Sequence, residues 1–108
     1  MSTGSDGCLG TEEVRRRLAD LDADWQIEEG PRLRRTARLP TFAAALALAN
    51  RLGALADAQD HHPELTVSWG RLDVRIWSHD VGGLTERDLR FVAAAETAWH
   101  QDEETNDE

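Results

Sequence analysis

HHPELTVSWGRLDVRIWSHD, residues His61 to Asp80, is the stretch that decides the architecture. Leu65, Val67 and Trp69 alternate with Thr66 and Ser68, and Gly70-Arg71 turns the chain. Leu72, Val74 and Ile76 then alternate with Asp73, Arg75 and Trp77. An apolar residue at every second position belongs to a half-buried strand, and two such rows around a glycine turn make a β-hairpin. On this pattern Trp69 points into the core as a supporting residue. Trp77 and His79 share the opposite face from Leu72, Val74 and Ile76.

Working outward, residues 41 to about 59 form the strongest helix pattern in the chain. Phe42, Ala45, Leu46, Ala49, Leu52 and Ala56 share one face, and Ala44, Leu48 and Leu55 widen it. An apolar arc this broad predicts burial on more than one side, against a sheet and against another subunit. Gly53 inside it predicts a close approach of backbone to a neighbour. His61-His62-Pro63 stops the helix, because the residue before a proline is pushed out of the α region.

Upstream, Trp25 and Ile27 alternate with Gln26 and Glu28, Gly30-Pro31 turns, and Leu33, Ala37 and Leu39 form a second alternating row. A helix precedes them, with Thr11 as its expected N-cap and Val14, Leu18 and Leu21 as its apolar stripe. Downstream, Thr85 and Asp88 stand in capping-box spacing, and Phe91, Val92, Ala95, Ala98 and Trp99 mark the inner face of a last helix. The order αββαββα predicts an α+β, two-layer fold, a four-stranded antiparallel sheet with three helices on one face. Residues 1–10 read as a disordered N-terminal tail, 11–101 as the domain, and 102–108 as an acidic, disordered tail.

Composition narrows the chemistry. The 108 residues allow one domain. Acidic residues outnumber basic ones 21 to 12, for a formal charge of -9, which argues against a nucleic-acid partner. No apolar run is long enough to span a membrane, and Met1 to Gly10 lacks the features of a signal peptide, so a cytoplasmic location is expected. With no lysine, Schiff-base catalysis and a P-loop lysine are excluded, and with no tyrosine there is no phenolic acid. One cysteine, Cys8, excludes an internal disulfide and a cysteine-built zinc site. The four histidines remain as the groups that titrate near neutral pH.

Three of those histidines fall in the decisive stretch. His61 and His62 lie where helix meets strand, and His79 lies at the exit of the following hairpin. Antiparallel pairing brings the start of one strand beside the end of the next, so the three imidazoles are expected at one sheet end. Asp57 and Asp60 join them from the last helical turn. Imidazoles with carboxylate neighbours suit proton transfer near neutral pH. A metal site built from His61, His62, His79 and an aspartate is disfavoured, since adjacent histidines in an extended segment diverge. Asp88 reads on local grounds as a helix cap.

The stretch DAQDHHPELTVSWGRLDVRIWSHDVGGLTERD, with Asp57, His61, His62, Pro63, Trp69, His79 and Asp88 at fixed spacing, resembles the pterin-4a-carbinolamine dehydratase (4a-hydroxytetrahydrobiopterin dehydratase) family. The resemblance implies a homodimer or homotetramer and a hydro-lyase reaction. That reaction removes water from 4a-hydroxytetrahydropterin to give quinonoid dihydropterin, without metal or organic cofactor. It links the chain to pterin recycling after an aromatic amino acid hydroxylase, such as phenylalanine hydroxylase. It implies His61 and His79 as acid/base groups, His62 as the histidine that holds the pterin, and Asp57 and Asp60 as tuning carboxylates. Pro63, Ser78, His79, Asp80 and Val81 are implied as pocket lining. Three positions depart from the family pattern: Leu65 replaces a common aromatic, Val81 a cysteine of some animal members, and Asp57 the commoner Glu. The competing reading is a non-catalytic protein on the same scaffold, a Rubisco assembly factor or a dimerisation cofactor of a transcription factor. Retention of all three histidines favours the enzyme.

Overall fold

Seven elements follow one another in the computed structural model, which describes residues 7–106: α1 (Thr11–Asp20), β1 (Gln26–Glu28), β2 (Arg32–Arg38), α2 (Phe42–Gln59), β3 (Glu64–Ser68), β4 (Arg71–Ile76) and α3 (Glu86–Asn106). The two hairpins join through their second strands, giving the antiparallel sheet order β1-β2-β4-β3. Leu33 pairs with Ile76, Ala37 with Leu72, and Leu65 with Val74, so the apolar rows of the strands fall in register on one face. Leu48, Leu52 and Ala56 of α2 and Phe91, Val92 and Ala95 of α3 close over that face, joined by Val14 and Leu18 of α1. Each large side chain so buried stabilises the fold by about 1.5–3 kcal/mol.

The opposite face is polar and held by ion pairs. Glu28 receives Arg32, Arg34 and Arg75, and Asp73 receives Thr36, Arg34 and Arg71. Burial pulls the Glu28 carboxyl upward, yet Arg75, Arg32 and Arg34 together bring it below its ordinary value. The hydrogen bond from Thr36, with Arg34 and Arg71, holds Asp73 low against the same burial.

Several sequence expectations are corrected. Trp69 is 75% exposed and lies outside the core. Strand β3 ends at Ser68, so Trp69 sits in the tight turn before Gly70 (φ 74°), where no strand alternation aims its side chain inward. Within the single chain α2 buries the arc of Ala45, Leu48, Ala49, Leu52 and Ala56 against the sheet, as expected, and its second apolar side stays open, with Phe42 and Leu46 46% and 43% exposed. A side chain at Gly53 would meet nothing within 4 Å, so this glycine serves no close approach inside the chain. Gly10, not Thr11, is the N-cap of α1, and it makes no side-chain cap bond. Helix α3 continues to Asn106, well into the acidic stretch, because no glycine or proline interrupts residues 99–106. Residues 1–6 and 107–108 lie outside the described residues.

Candidate active site

Helix α2 ends in a way that fixes the two adjacent histidines. Asp60 adopts a left-handed conformation (φ 53°). Its N–H donates to the Asp57 carbonyl at 3.2 Å, and the His61 N–H donates to the Ala56 carbonyl at 3.1 Å. This is a Schellman ending, which satisfies the last carbonyls and sets the direction of the departing chain. Glycine is the usual occupant of the left-handed position, and aspartate is one of the few residues that tolerates it. His61 then turns inward and is buried, while His62 faces outward and is exposed.

Behind His61 lies Asp88, whose relative exposure is 0%. Its two oxygens do different work. Oδ2 accepts from the Thr85 N–H at 2.9 Å and from Ser78 Oγ at 2.8 Å, and Thr85 Oγ1 lies 2.8 Å from Ser78 Oγ. That half completes the capping box of α3. Oδ1 lies 2.6 Å from His61 Nε2. This contact occupies Nε2 and aims the ring, so that Nδ1 is the nitrogen left for another partner, the arrangement that orients a catalytic imidazole. The helix cap and the histidine anchor are one side chain. Capping-box spacing alone reveals only the first role.

The third histidine comes from the hairpin exit. Ser78 N–H donates to the Gly83 carbonyl at 2.8 Å, and Gly82 N–H to the Ser78 carbonyl at 2.9 Å, forming a tight turn that carries His79 and Asp80. Asp80 Oδ1 accepts from Arg87 Nη2 at 2.8 Å, and chiefly this bond holds the Asp80 carboxyl below its usual range. The His79 ring stacks on Trp77, with centroids 4.2 Å apart and planes 17° apart.

Asp60, His61, His62, Pro63, Glu64, His79, Asp80 and Arg87 line one cavity of about 570 Å³. The three imidazoles therefore do share a hollow at one sheet end. Not every implied lining residue reaches it. Ser78 is fully buried and acts on Asp88 from behind; Val81 is half-buried and does not border the cavity. Asp57 borders an adjoining groove between α2 and β3, from which its Oδ1 meets His62 Nε2 at 2.9 Å. Trp69 is absent from both linings. Arg87 and Glu64 are lining residues that the sequence reading missed. Arg87 sits beside Asp88 in the first turn of α3, so its position was the available signal. Among the described residues no group of three His, Cys, Asp or Glu side chains is placed to hold a metal ion, because Nε2 of His61 and of His62 turn to different aspartates.

A family model described as pterin 4 alpha carbinolamine dehydratase matches residues 8–98 of this chain. The chain belongs to the pterin-4a-carbinolamine dehydratase family. A relative from Chlorobium limicola, provisionally named pterin-4-alpha-carbinolamine dehydratase, is 47% identical over 92 residues, covering 82% of this chain and 79% of that protein. The crystal structure of a transcriptional coactivator/pterin dehydratase from Brucella melitensis superposes with a TM-score of 0.76 at 27% identity, covering 84% of this chain and 97% of that one. A pterin dehydratase-like protein identified as a RuBisCO assembly factor in the alpha-carboxysome matches with a TM-score of 0.60 at 16% identity, over 72% of this chain and 92% of that one. This second likeness is one of fold alone. Membership places the chain among hydro-lyases of pterin carbinolamines. No helix of the described residues is long and apolar enough to cross a membrane.

Proposed function

We propose that this chain catalyses loss of water from a 4a-hydroxytetrahydropterin, giving quinonoid dihydropterin for reduction and reuse after aromatic amino acid hydroxylation. The observation that carries the reading is the convergence of His61, His62 and His79 on one cavity, with buried Asp88 behind His61. In the elimination the C4a–O bond breaks, the hydroxyl takes up a proton and leaves as water, and the N5 proton departs as the C4a–N5 double bond forms. No electrons are gained or lost, so imidazoles alone balance the step. His61, with Nδ1 left for another partner, is cast as the base toward N5. His79, exposed to water and without a hydrogen-bond partner among the described residues, is cast as the acid toward the hydroxyl. His62, tied to Asp57, and the carboxylate of Asp60 are cast as groups that hold the pterin.

The test is direct. Purified protein added to freshly generated carbinolamine accelerates dehydration, and His61→Ala and His79→Ala each slow it by about 10². A decay no faster than in buffer removes the enzyme reading. The non-catalytic reading, an assembly factor or coactivator, then rises, supported by the coactivator name of the Brucella melitensis neighbour and by the open apolar flank of α2 at Phe42 and Leu46. The same flank supports a homo-oligomer. Dimer and tetramer are separated by sedimentation, with Leu46→Arg shifting the protein to a smaller species.

A further inference from the structure

His61 and His62 each give one ring nitrogen to a carboxylate. His79 gives neither. Among the described residues it makes no hydrogen bond or ion pair, and its fixed contact is the face of Trp77, 4.2 Å away and nearly parallel. Trp77 follows β4, where the alternation of Leu72, Val74 and Ile76 sends it to the polar face of the sheet, and it is half-buried there. The Arg32 guanidinium also lies over the indole, 5.7 Å from the ring centroid. Trp77 is therefore held by its neighbours and presents a flat wall, whereas an exposed histidine without such a wall changes rotamer in picoseconds to nanoseconds.

We propose that Trp77 is a positioning residue for the dehydration: its indole face sets the plane of the His79 ring while leaving both imidazole nitrogens open. This rests on the dehydratase reading of the site. A carboxylate partner would have orientated the ring equally well, but at the loss of one nitrogen. A stacked ring keeps one nitrogen for the substrate and the other for exchange with bulk water, as a group that must be reloaded with a proton at every turnover requires. The contact orders His79 and does not touch the pterin, so its removal acts on kcat and leaves KM nearly unchanged.

The experiment compares wild type with Trp77→Phe, Trp77→Leu and Trp77→Ala in steady-state carbinolamine dehydration. The Leu and Ala variants lose about tenfold in kcat with KM within about twofold, the scale of one aromatic stack. Trp77→Phe keeps a flat face and recovers most of the rate; Leu keeps apolar bulk without the face and does not. A readout without substrate accompanies them. Indole emission differs between wild type and His79→Gln, because the imidazole lies on the Trp77 face, and this difference disappears when Trp77→Phe is the background. An active wild type whose Leu variant matches it in kcat, with emission indifferent to His79, overturns the inference alone. An inactive wild type overturns the dehydratase reading on which it rests, and the emission experiment still reports the stack.

Discussion

The two chain segments that meet in the cavity are built on opposite terms. At the α2–β3 junction, His61 is buried and clamped: its backbone is locked by the Schellman ending, and its Nε2 is bound to an aspartate of 0% exposure. At the β4 exit, His79 is exposed, and among the described residues it is bound through no nitrogen and lies against an indole face. On the proposed elimination, the contrast means that the base and the acid need not be equivalent imidazoles. One is aimed by a buried carboxylate, and the other lies flat on an indole while staying in contact with water.

The harshest way to break this contrast is to remove its buried anchor. Asp88→Ala strips α3 of its cap and leaves Ser78, Thr85 and His61 without their common acceptor. Stability falls by about 3–5 kcal/mol, read from urea unfolding, and dehydratase activity falls by more than about 10². Asp88→Asn keeps the shape and separates the two effects: a smaller loss of stability with most of the loss of rate.

Chemical rescue sharpens the comparison at the next level. Free imidazole added to His79→Ala restores several-fold of the lost rate, since the vacated place is open to solvent. Added to His61→Ala it restores less, since that place is buried against Asp88 and is reached only through the cavity that the substrate fills. The measurement is the dehydration rate as a function of imidazole concentration.

Acid pH probes the polar sheet face, whose Arg32 links Glu28 to Trp77 and so to the His79 stack. Glu28 and Asp73 have folded-state values below their ordinary ones. Their contribution is therefore complete above the unfolded values, about 4.3 and 3.9, and is lost as pH falls through the depressed folded values. Urea midpoints are expected to stay level from pH 6 to about 5 as far as these groups are concerned, and to drop below about pH 4. Glu28→Gln flattens that drop.

The smallest effect comes from Asp60, whose left-handed backbone suits glycine better. Asp60→Gly raises stability by about 0.5–1 kcal/mol and lowers activity by removing a carboxylate from the cavity. Thermal unfolding and the dehydration assay on the same preparation report the two signs.

How much of this was legible in sequence depended on whether one pattern had one meaning. The Leu72-Val74-Ile76 row has a single reading, and it correctly placed the hairpin, the sheet and the outward direction of Trp77 and His79. The same rule extended one residue too far put Trp69 in the core, because a turn tryptophan and a strand tryptophan look alike in a period of two. On α2, alanines and leucines broken only by Asn50, Arg51 and Gly53 before Asp57 announce two apolar sides, but they do not say which side meets the sheet and which, at Phe42 and Leu46, stays open within the chain. Asp88 satisfied two demands, and the local one concealed the distant one: the His61 contact spans 27 residues of chain. Arg87 escaped notice for a related reason: its place beside Asp88 was visible, but its ion pair with Asp80 across the turn was not.

The central claim is that imidazoles from both segments face one pterin. Nuclear magnetic resonance of the imidazole C–H signals during titration with a stable dihydropterin tests it most directly. The signals of His61, His62 and His79 are predicted to move together at a single dissociation constant, while that of His100, near the far end of α3, stays in place. Signals of His61 and His62 that move while His79 remains unchanged would contradict the account.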